Sequence, residues 1–318
     1  MRAIPLLSLL LSGWFVVPAY ADEAQDWLQR LGQAEQQQSF QGTFVYERNG
    51  SFSTHNIWHR VQDGKVRERL TQLDGSAQEV VRVDGRTQCV SGTLVAGLGD
   101  SPDSAARALD PQKLKNWYDL AVIGKSRVAG RPAVIVSLTP RDQHRYGFEL
   151  HLDRETGLPL KSLLLNDKGQ LLERFQFTRL DTANVPEEAE LRPSADCKPV
   201  SLDSDKASAI KSAQTWHSDW LPPGFELTSS TARKDPETKT LVNSLLYDDG
   251  LARFSVFLEP LNGATVTDTR TQLGPTVAVS RRLTTPDGEM MVTVVGEIPI
   301  GTAERIALSM RSDATAKQ

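Results

Sequence analysis

The chain has 318 residues, 39% of them apolar and 24% charged, and 36 Lys and Arg against 40 Asp and Glu leave a formal net charge of −4. These values are ordinary for a globular protein and exclude collagen-like, coiled-coil and largely disordered chains. The near balance of charge excludes the basic footprint of a nucleic-acid binder, and 22 Gly with 17 Pro at turn-like places favour many short strands.

Met1-Arg2 is a short positive start. An apolar run from Ile4 to Val17 follows and ends at Ala19-Tyr20-Ala21, with small residues at both positions a signal peptidase reads. The pattern predicts a secretory signal peptide over 1–21, cleaved after Ala21. The run falls short of the roughly 20 residues needed to span a bilayer. Export would put Cys89 and Cys197 in an oxidising compartment. There they either form a bridge or remain two thiols.

Asp22 to Ser39 is predicted helical, because Trp27, Leu28, Leu31 and Ala34 recur at helical spacing. From Phe40 the period becomes two. Arg48-Asn49-Gly50 marks a hairpin, and Asp63-Gly64, Asp74-Gly75 and Asp84-Gly85 punctuate further short strands, the pattern of an antiparallel meander. Ser91 to Ala108 is a Gly/Ser/Asp-rich loop. A short helix is predicted from Pro111 to Leu120 with Asp110 as its cap. Strands resume at 121–128, 132–139, 146–153, 160–166 and 171–178. The expected fold is mainly β with α: a large antiparallel sheet over 22–180, a polar linker over 181–215, and a small α+β domain over 216–318. In that second domain Leu221-Pro222-Pro223-Gly224-Phe225 leads into a strand. Two hairpins turn at Asp248-Asp249-Gly250 and Thr285-Pro286-Asp287-Gly288, and a helix closes the domain from Pro299 to Met310.

Phe44, Tyr46, Trp58, Phe148, Leu150, Leu152, Leu160 and Leu164 share the even phase, which predicts one apolar sheet face. That face is either an ordinary core, filled by the helices and the second domain, or a groove for an apolar ligand. Arg60, Lys65, Arg67, Arg69, Arg82 and Arg86 recur along the meander, either as a solvated outer face or as a site for an anionic headgroup.

Catalytic patterns are missing. His55 and His59 lie four apart, but on a strand that is roughly 13 Å, too far for one metal with bonds of about 2 Å. No G-x-S-x-G elbow and no Gly-rich phosphate loop occurs. The expectation is a protein that is not an enzyme and carries neither metal nor cofactor.

Several segments resemble the MucB/RseB family. They are Ser39–Tyr46, His55–Arg60, Arg67–Gly75 and Glu79–Arg82 in the first domain, and Trp220–Phe225, Asp249–Phe257 and Val294–Pro299 in the second. The resemblance covers nearly the whole exported chain. It implies a periplasmic negative regulator of the envelope-stress sigma factor. Such a protein binds the periplasmic region of a MucA/RseA-like transmembrane anti-sigma factor and shields it from the site-1 protease. Lipopolysaccharide or another lipid releases it, and in pseudomonads the output includes alginate genes. The resemblance also implies that the large domain is an unclosed β-barrel like that of lipoprotein carriers, and that a homo-oligomer can form. On this basis Phe44, Tyr46, Trp58, Trp117 and Phe148 are expected to meet lipid, and Tyr247, Phe254, Phe257, Arg281 and Arg282 the partner. The rival expectation is a periplasmic carrier of lipid or lipoprotein, which would share the groove but have no need of the second domain.

Overall fold

The computed structural model describes residues 20–92, 109–200, 215–235, 239–286 and 288–313. Most of the expected signal peptide, most of the loop before residue 109, and the second half of the expected linker lie outside these residues.

Helix α1 (Tyr20–Gln37) lies across a large sheet. Ala24, Leu28 and Ala34 are buried on the face it turns inward, with Trp27 and Leu31 packed beside them. The sheet begins with β1 (Phe40–Arg48), β2 (Ser51–Gln62), β3 (Lys65–Gln72), β4 (Glu79–Val83) and β5 (Arg86–Ser91). After α2 (Pro111–Leu114) come β6 (Tyr118–Val128), β7 (Arg131–Pro140), β8 (Gly147–Asp153), β9 (Pro159–Leu165), β10 (Leu171–Asp181) and the two-residue β11 (Lys198–Pro199). The order is β11-β5-β4-β3-β2-β1-β10-β9-β8-β7-β6. Two runs of hairpins are therefore joined where β1 meets β10. The outermost strands, β6 and β11, do not pair, so the sheet curls without closing. Helix α2 is shorter than expected. Asp110 caps it by accepting from the N–H groups of Gln112 and Lys113, but strand β6 takes over at Tyr118.

The two-residue turn at Asn49-Gly50, with φ of 53° and 73°, pairs Arg48 with Ser51. Such a turn reverses parity. Even residues of β1 therefore share a face with odd residues of β2, and Phe40 and Phe44 sit opposite His59 and His55. Trp58 pairs with Gln41 on the other face, so its expected place beside Phe44 and Tyr46 is corrected.

The expected linker is corrected as well. Residues 182–200 form a strap over that other face. Arg60 donates to the Pro186 carbonyl at 3.2 Å, Arg67 pairs with Glu188 at 2.5 Å, and Arg69 donates to the Glu190 carbonyl at 3.0 Å. Leu191 is buried beneath it, and the buried Glu79 carboxylate accepts from Arg69 and from Ser194. Arg60, Arg67 and Arg69 are thus committed to acidic and carbonyl groups of the strap. These three face away from the apolar side, so the headgroup reading is corrected for them; Arg82 lies opposite Glu68 on the His59 side. Cys197 closes the strap through a disulfide to Cys89, with the Cα atoms 5.5 Å apart.

The small domain is a six-stranded antiparallel sheet under one helix. Its strands are β13 (Glu226–Lys234), β14 (Leu241–Asp248), β15 (Arg253–Pro260), β16 (Thr269–Leu273), β17 (Thr276–Thr285) and β18 (Gly288–Gly296), in the order β13-β14-β15-β18-β17-β16. Helix α3 (Ile300–Ser309) drops Ala303, Ile306 and Ala307 onto Val277, Val279, Val292 and Val294. Each such large side chain stabilises by roughly 1.5–3 kcal/mol relative to exposure. A two-stranded ladder of β12 (Thr215–Ser218) and β19 (Met310–Asp313) ties the domain's two ends together.

The cysteines are 108 residues apart. Loop-closure entropy at that length is worth up to roughly 4–5 kcal/mol. Replacing both by Ser should lower the urea-unfolding free energy by an amount approaching that value; an unchanged midpoint would show that the strap is held by its other contacts alone. A second expectation concerns pH. Burial opposes the Glu79 charge, but hydrogen bonds from Ser194 and Arg69 outweigh it and hold the carboxyl below its ordinary value of 4.5. A depressed folded-state value gives stability that is complete above 4.5 and lost as pH falls through the lower value. The protection factor of the Ser194 amide, its exchange measured against the intrinsic rate at each pH, should therefore fall selectively on acidification, and Glu79→Gln should flatten that dependence.

Candidate functional site

The side of the large sheet that faces α1 is built from alternation. Phe44 lies opposite Phe177, and Tyr46 opposite Phe175. Phe44 stands 4.7 Å from Phe175 and 5.9 Å from Phe177 between ring centroids. His59 and His55 stack on Phe40 and Phe44 at 4.6 and 5.1 Å. His59 also bridges Glu68 at 2.8 Å and the Glu35 carbonyl of α1 at 2.9 Å. Burial opposes the Glu68 charge, but the His59 bond holds that carboxyl below its ordinary range. At the other end Leu28 and Ala24 cover Leu138, Val136 and Leu152, with Phe148 and Leu150 half-buried beside them. The helix therefore fills most of the face, as an ordinary core would. Uncovered apolar surface remains around Tyr46, Phe175, Leu70 and Phe148.

The second feature is the junction with the small domain. The loop after β7 carries Arg145, only 2% exposed. It donates to Asp249 at 2.6 Å, to Asp142 at 3.0 Å and to the Pro223 carbonyl at 2.5 Å. The rings of Trp117, Tyr118 and Phe225 surround its guanidinium at 5.1–5.7 Å. Burial raises the Asp249 carboxyl above its ordinary range, against the pull of the Leu251 and Ala252 N–H groups and of Arg145. Nearby, Tyr146 donates to the Ile298 carbonyl at 3.1 Å, and His144 meets Thr302 at 3.1 Å. Gly224 has φ of +88°, and a Cβ there would sit 2.2 Å from the Trp117 ring. Farther along, Arg48 at the end of β1 bonds Thr276 and lies 3.8 Å from Glu297 and 4.0 Å from Glu173. Tyr46 donates to Glu173 at 2.6 Å, and burial followed by that carboxylate raises its hydroxyl above the ordinary range.

A cavity of about 440 Å³ connects the two features. Leu138 and Phe148 of the apolar face line it, and so do Arg141, Asp142 and Arg145 of the junction loop. Sequence reasoning missed Arg145 and Asp249 as partners, since nothing local couples residues 104 apart.

The sequence candidates separate accordingly. Phe44, Tyr46 and Phe148 share the apolar face. Trp58 is on the opposite face, where its indole N–H donates to Glu190 at 3.3 Å, and Trp117 is wedged into the junction under Gly224. Tyr247 and Phe254, 2% and 1% exposed, stack at 5.0 Å inside the small domain. They are core residues, which corrects their place on a contact surface. The sheet parity of β14 and β15 carried that signal: their inward residues alternate with Leu246, Ser255 and Phe257. Phe257 is 37% exposed, Arg282 is exposed, and Arg281 is tied back to Glu304 at 3.0 Å and Asp268 at 3.3 Å.

A curled sheet with part of an apolar face uncovered, latched to a second domain through a buried ion pair, defines a two-domain binding protein. Comparison with known proteins gives its family. The model of the MucB/RseB N-terminal domain matches residues 23–195, and that of the MucB/RseB C-terminal domain matches 210–311. The chain belongs to the MucB/RseB family of sigma-factor regulatory proteins. The sigma factor AlgU regulatory protein MucB of Pseudomonas aeruginosa is 62% identical, with both chains covered in full. The sigma-E factor regulatory protein RseB of Haemophilus influenzae is 30% identical over 98% of this chain and 99% of its own. Among solved structures, the MucA/MucB complex of Pseudomonas aeruginosa aligns at TM-score 0.82 and 64% identity, covering 92% of this chain and 100% of that one. A crystal structure of MucB aligns at 0.68 and 60% identity over 92% of this chain and 98% of its own.

Removing Arg145 would leave Asp249 buried without its cation. Arg145→Met should cost about 3–5 kcal/mol and free the small domain, read as faster proteolysis between the domains and a larger radius of gyration. A variant with wild-type stability and dimensions would show that the ion pair does not hold the junction.

Proposed function

We propose that this chain is exported to the periplasm and there restrains the release of a sigma factor by binding the periplasmic region of a MucA/RseA-like membrane anti-sigma factor. Bound there, it shields that segment from the first protease of the cascade. One observation carries the reading. The chain matches MucB as seen in its complex with MucA along the full length of that chain, at 64% identity and TM-score 0.82. The signal-peptide pattern supports export with cleavage after Ala21, and the disulfide suits an oxidising compartment. Phe257 and Arg282 are the surviving candidates for partner contact.

Release by lipopolysaccharide or another lipid is the second part of the proposal. The cavity lined by both Phe148 and Arg145 supports it, because an acyl chain seated there would touch apolar face and latch together. Such a ligand acts only if it binds one domain arrangement more tightly than the other. The latch to a second domain favours this regulator over a simple lipid or lipoprotein carrier.

The test adds the purified protein to the anti-sigma periplasmic segment and the site-1 protease. Cleavage should slow, and lipopolysaccharide should restore it. Phe257→Ser and Arg282→Glu should each weaken capture of the segment by about tenfold, the size of a modest hot spot. Unchanged cleavage would overturn the regulator reading. Protection that lipid leaves intact would overturn only the release step.

A further inference from the structure

On the side of the large sheet away from α1, three adjacent strands build a small polar cavity of about 300 Å³. The register sets its floor. Trp58, Gln41 and Asp181 form one row across β2, β1 and β10, and Asn56, Thr43 and Arg179 form the next. The chain leaves β10 at Asp181 and returns over Trp58 at Glu190, so the strap borders the cavity. Its volume sits at the lower end of small-molecule pockets, roughly 300 Å³, enough for a single ring.

The hydrogen bonds decide what that ring must carry. The Asp181 carboxylate and the Asn56 carbonyl, both at the floor, are already engaged as acceptors. Asp181 accepts from the N–H groups of Ala183 at 2.9 Å and Asn184 at 3.2 Å, and from the Asn184 amide at 2.8 Å. The Gln41 side chain also bonds it. The Asn56 carbonyl oxygen accepts from the Thr43 hydroxyl at 2.7 Å. The donors remain: among the described residues neither the Arg179 guanidinium nor the Asn56 amide N–H₂ has a partner. Beside them lies the Trp58 indole, whose ring carries the Arg69 guanidinium at 5.3 Å. Free donors with one cation select an oxyanion, and an indole wall suits the apolar C–H face of a sugar.

We propose that this cavity binds an acidic pyranose, with Arg179 and Asn56 donating to its carboxylate or phosphate and Trp58 against its ring. The site is independent of the regulator reading, since it lies on the opposite face from the apolar surface and away from the small domain.

The experiment titrates glucuronic acid, glucose 6-phosphate, glucose and inorganic phosphate into isotope-labelled full-length exported protein and follows amide shifts. Both acidic sugars should bind at millimolar concentration and perturb β1, β2 and β10 around Thr43. The tighter of the two identifies a carboxylated or a phosphorylated source. Arg179→Gln, an exposed change that leaves the fold intact, should weaken both by roughly tenfold or more, the loss of a charge-assisted hydrogen bond. The proposal fails if neither acidic sugar binds, if glucose binds as tightly as they do, or if Arg179→Gln changes nothing. It also fails if phosphate alone matches glucose 6-phosphate, which would make this a simple anion site.

Discussion

The arrangement of the two domains rests on Arg145. A guanidinium removed from water costs several kcal/mol unless nearby groups replace its hydration. Here two carboxylates, a backbone carbonyl and three aromatic rings replace it, and two of the closest groups, Asp249 and the Pro223 carbonyl, come from the small domain. Undocking would strand both charges or open them to solvent. Docking is therefore close to all-or-none. Asp249 is itself committed, because its carboxylate holds the Leu251 and Ala252 N–H groups and so shapes the turn between β14 and β15. A disturbance at the latch reaches the small-domain core through that turn, since Phe254 follows it directly.

The large sheet divides its two faces between different physical tasks. The inner face buries aromatic and aliphatic groups under α1, and its stability comes from area removed from water. The outer face holds the strap through ions and carbonyls, with Arg60, Arg67 and Arg69 matched to Pro186, Glu188 and Glu190. Exposed pairs of this kind contribute little singly. The buried Glu79 and the covalent tie at Cys89–Cys197 are the stronger anchors. An acyl chain on the inner face leaves the strap's polar contacts untouched, so groove and strap can respond to different stimuli.

Local signals in the sequence are sufficient for most of the elements, although α2 is shorter than its pattern and β11, β12, β16 and β19 carry no clear local signal. Asn49-Gly50, Asp63-Gly64 and Asp84-Gly85 adopt the positive φ values that made them hairpin signals. The periodicity of Leu28, Leu31 and Ala34 placed α1 against the sheet. What escaped were relations across turns and across the chain. Even numbering groups Trp58 with Phe44, yet a two-residue turn pairs even with odd. The resemblance points to Tyr247 and Phe254 as contacts, but the pairing of β14 with β15 puts both rings inside the small-domain core. The strap's acids look like a solvated linker until the arginines they meet, more than a hundred residues away, are known.

These features meet in β1. Within nine residues it supplies Gln41 and Thr43 to the outer cavity, Phe40 and Phe44 to the inner aromatic cluster, and Arg48 to the small domain. Gly42 makes the sheet thin at the midpoint, since a Cβ there would lie 2.5 Å from the Arg179 carbonyl and 2.8 Å from the Phe177 ring. Only one layer of backbone separates the two faces. An occupant of the outer cavity is therefore separated from the Phe177 ring at Gly42 by backbone alone. That makes β1 a strand that serves the outer cavity, the inner aromatic cluster and a contact with the small domain together.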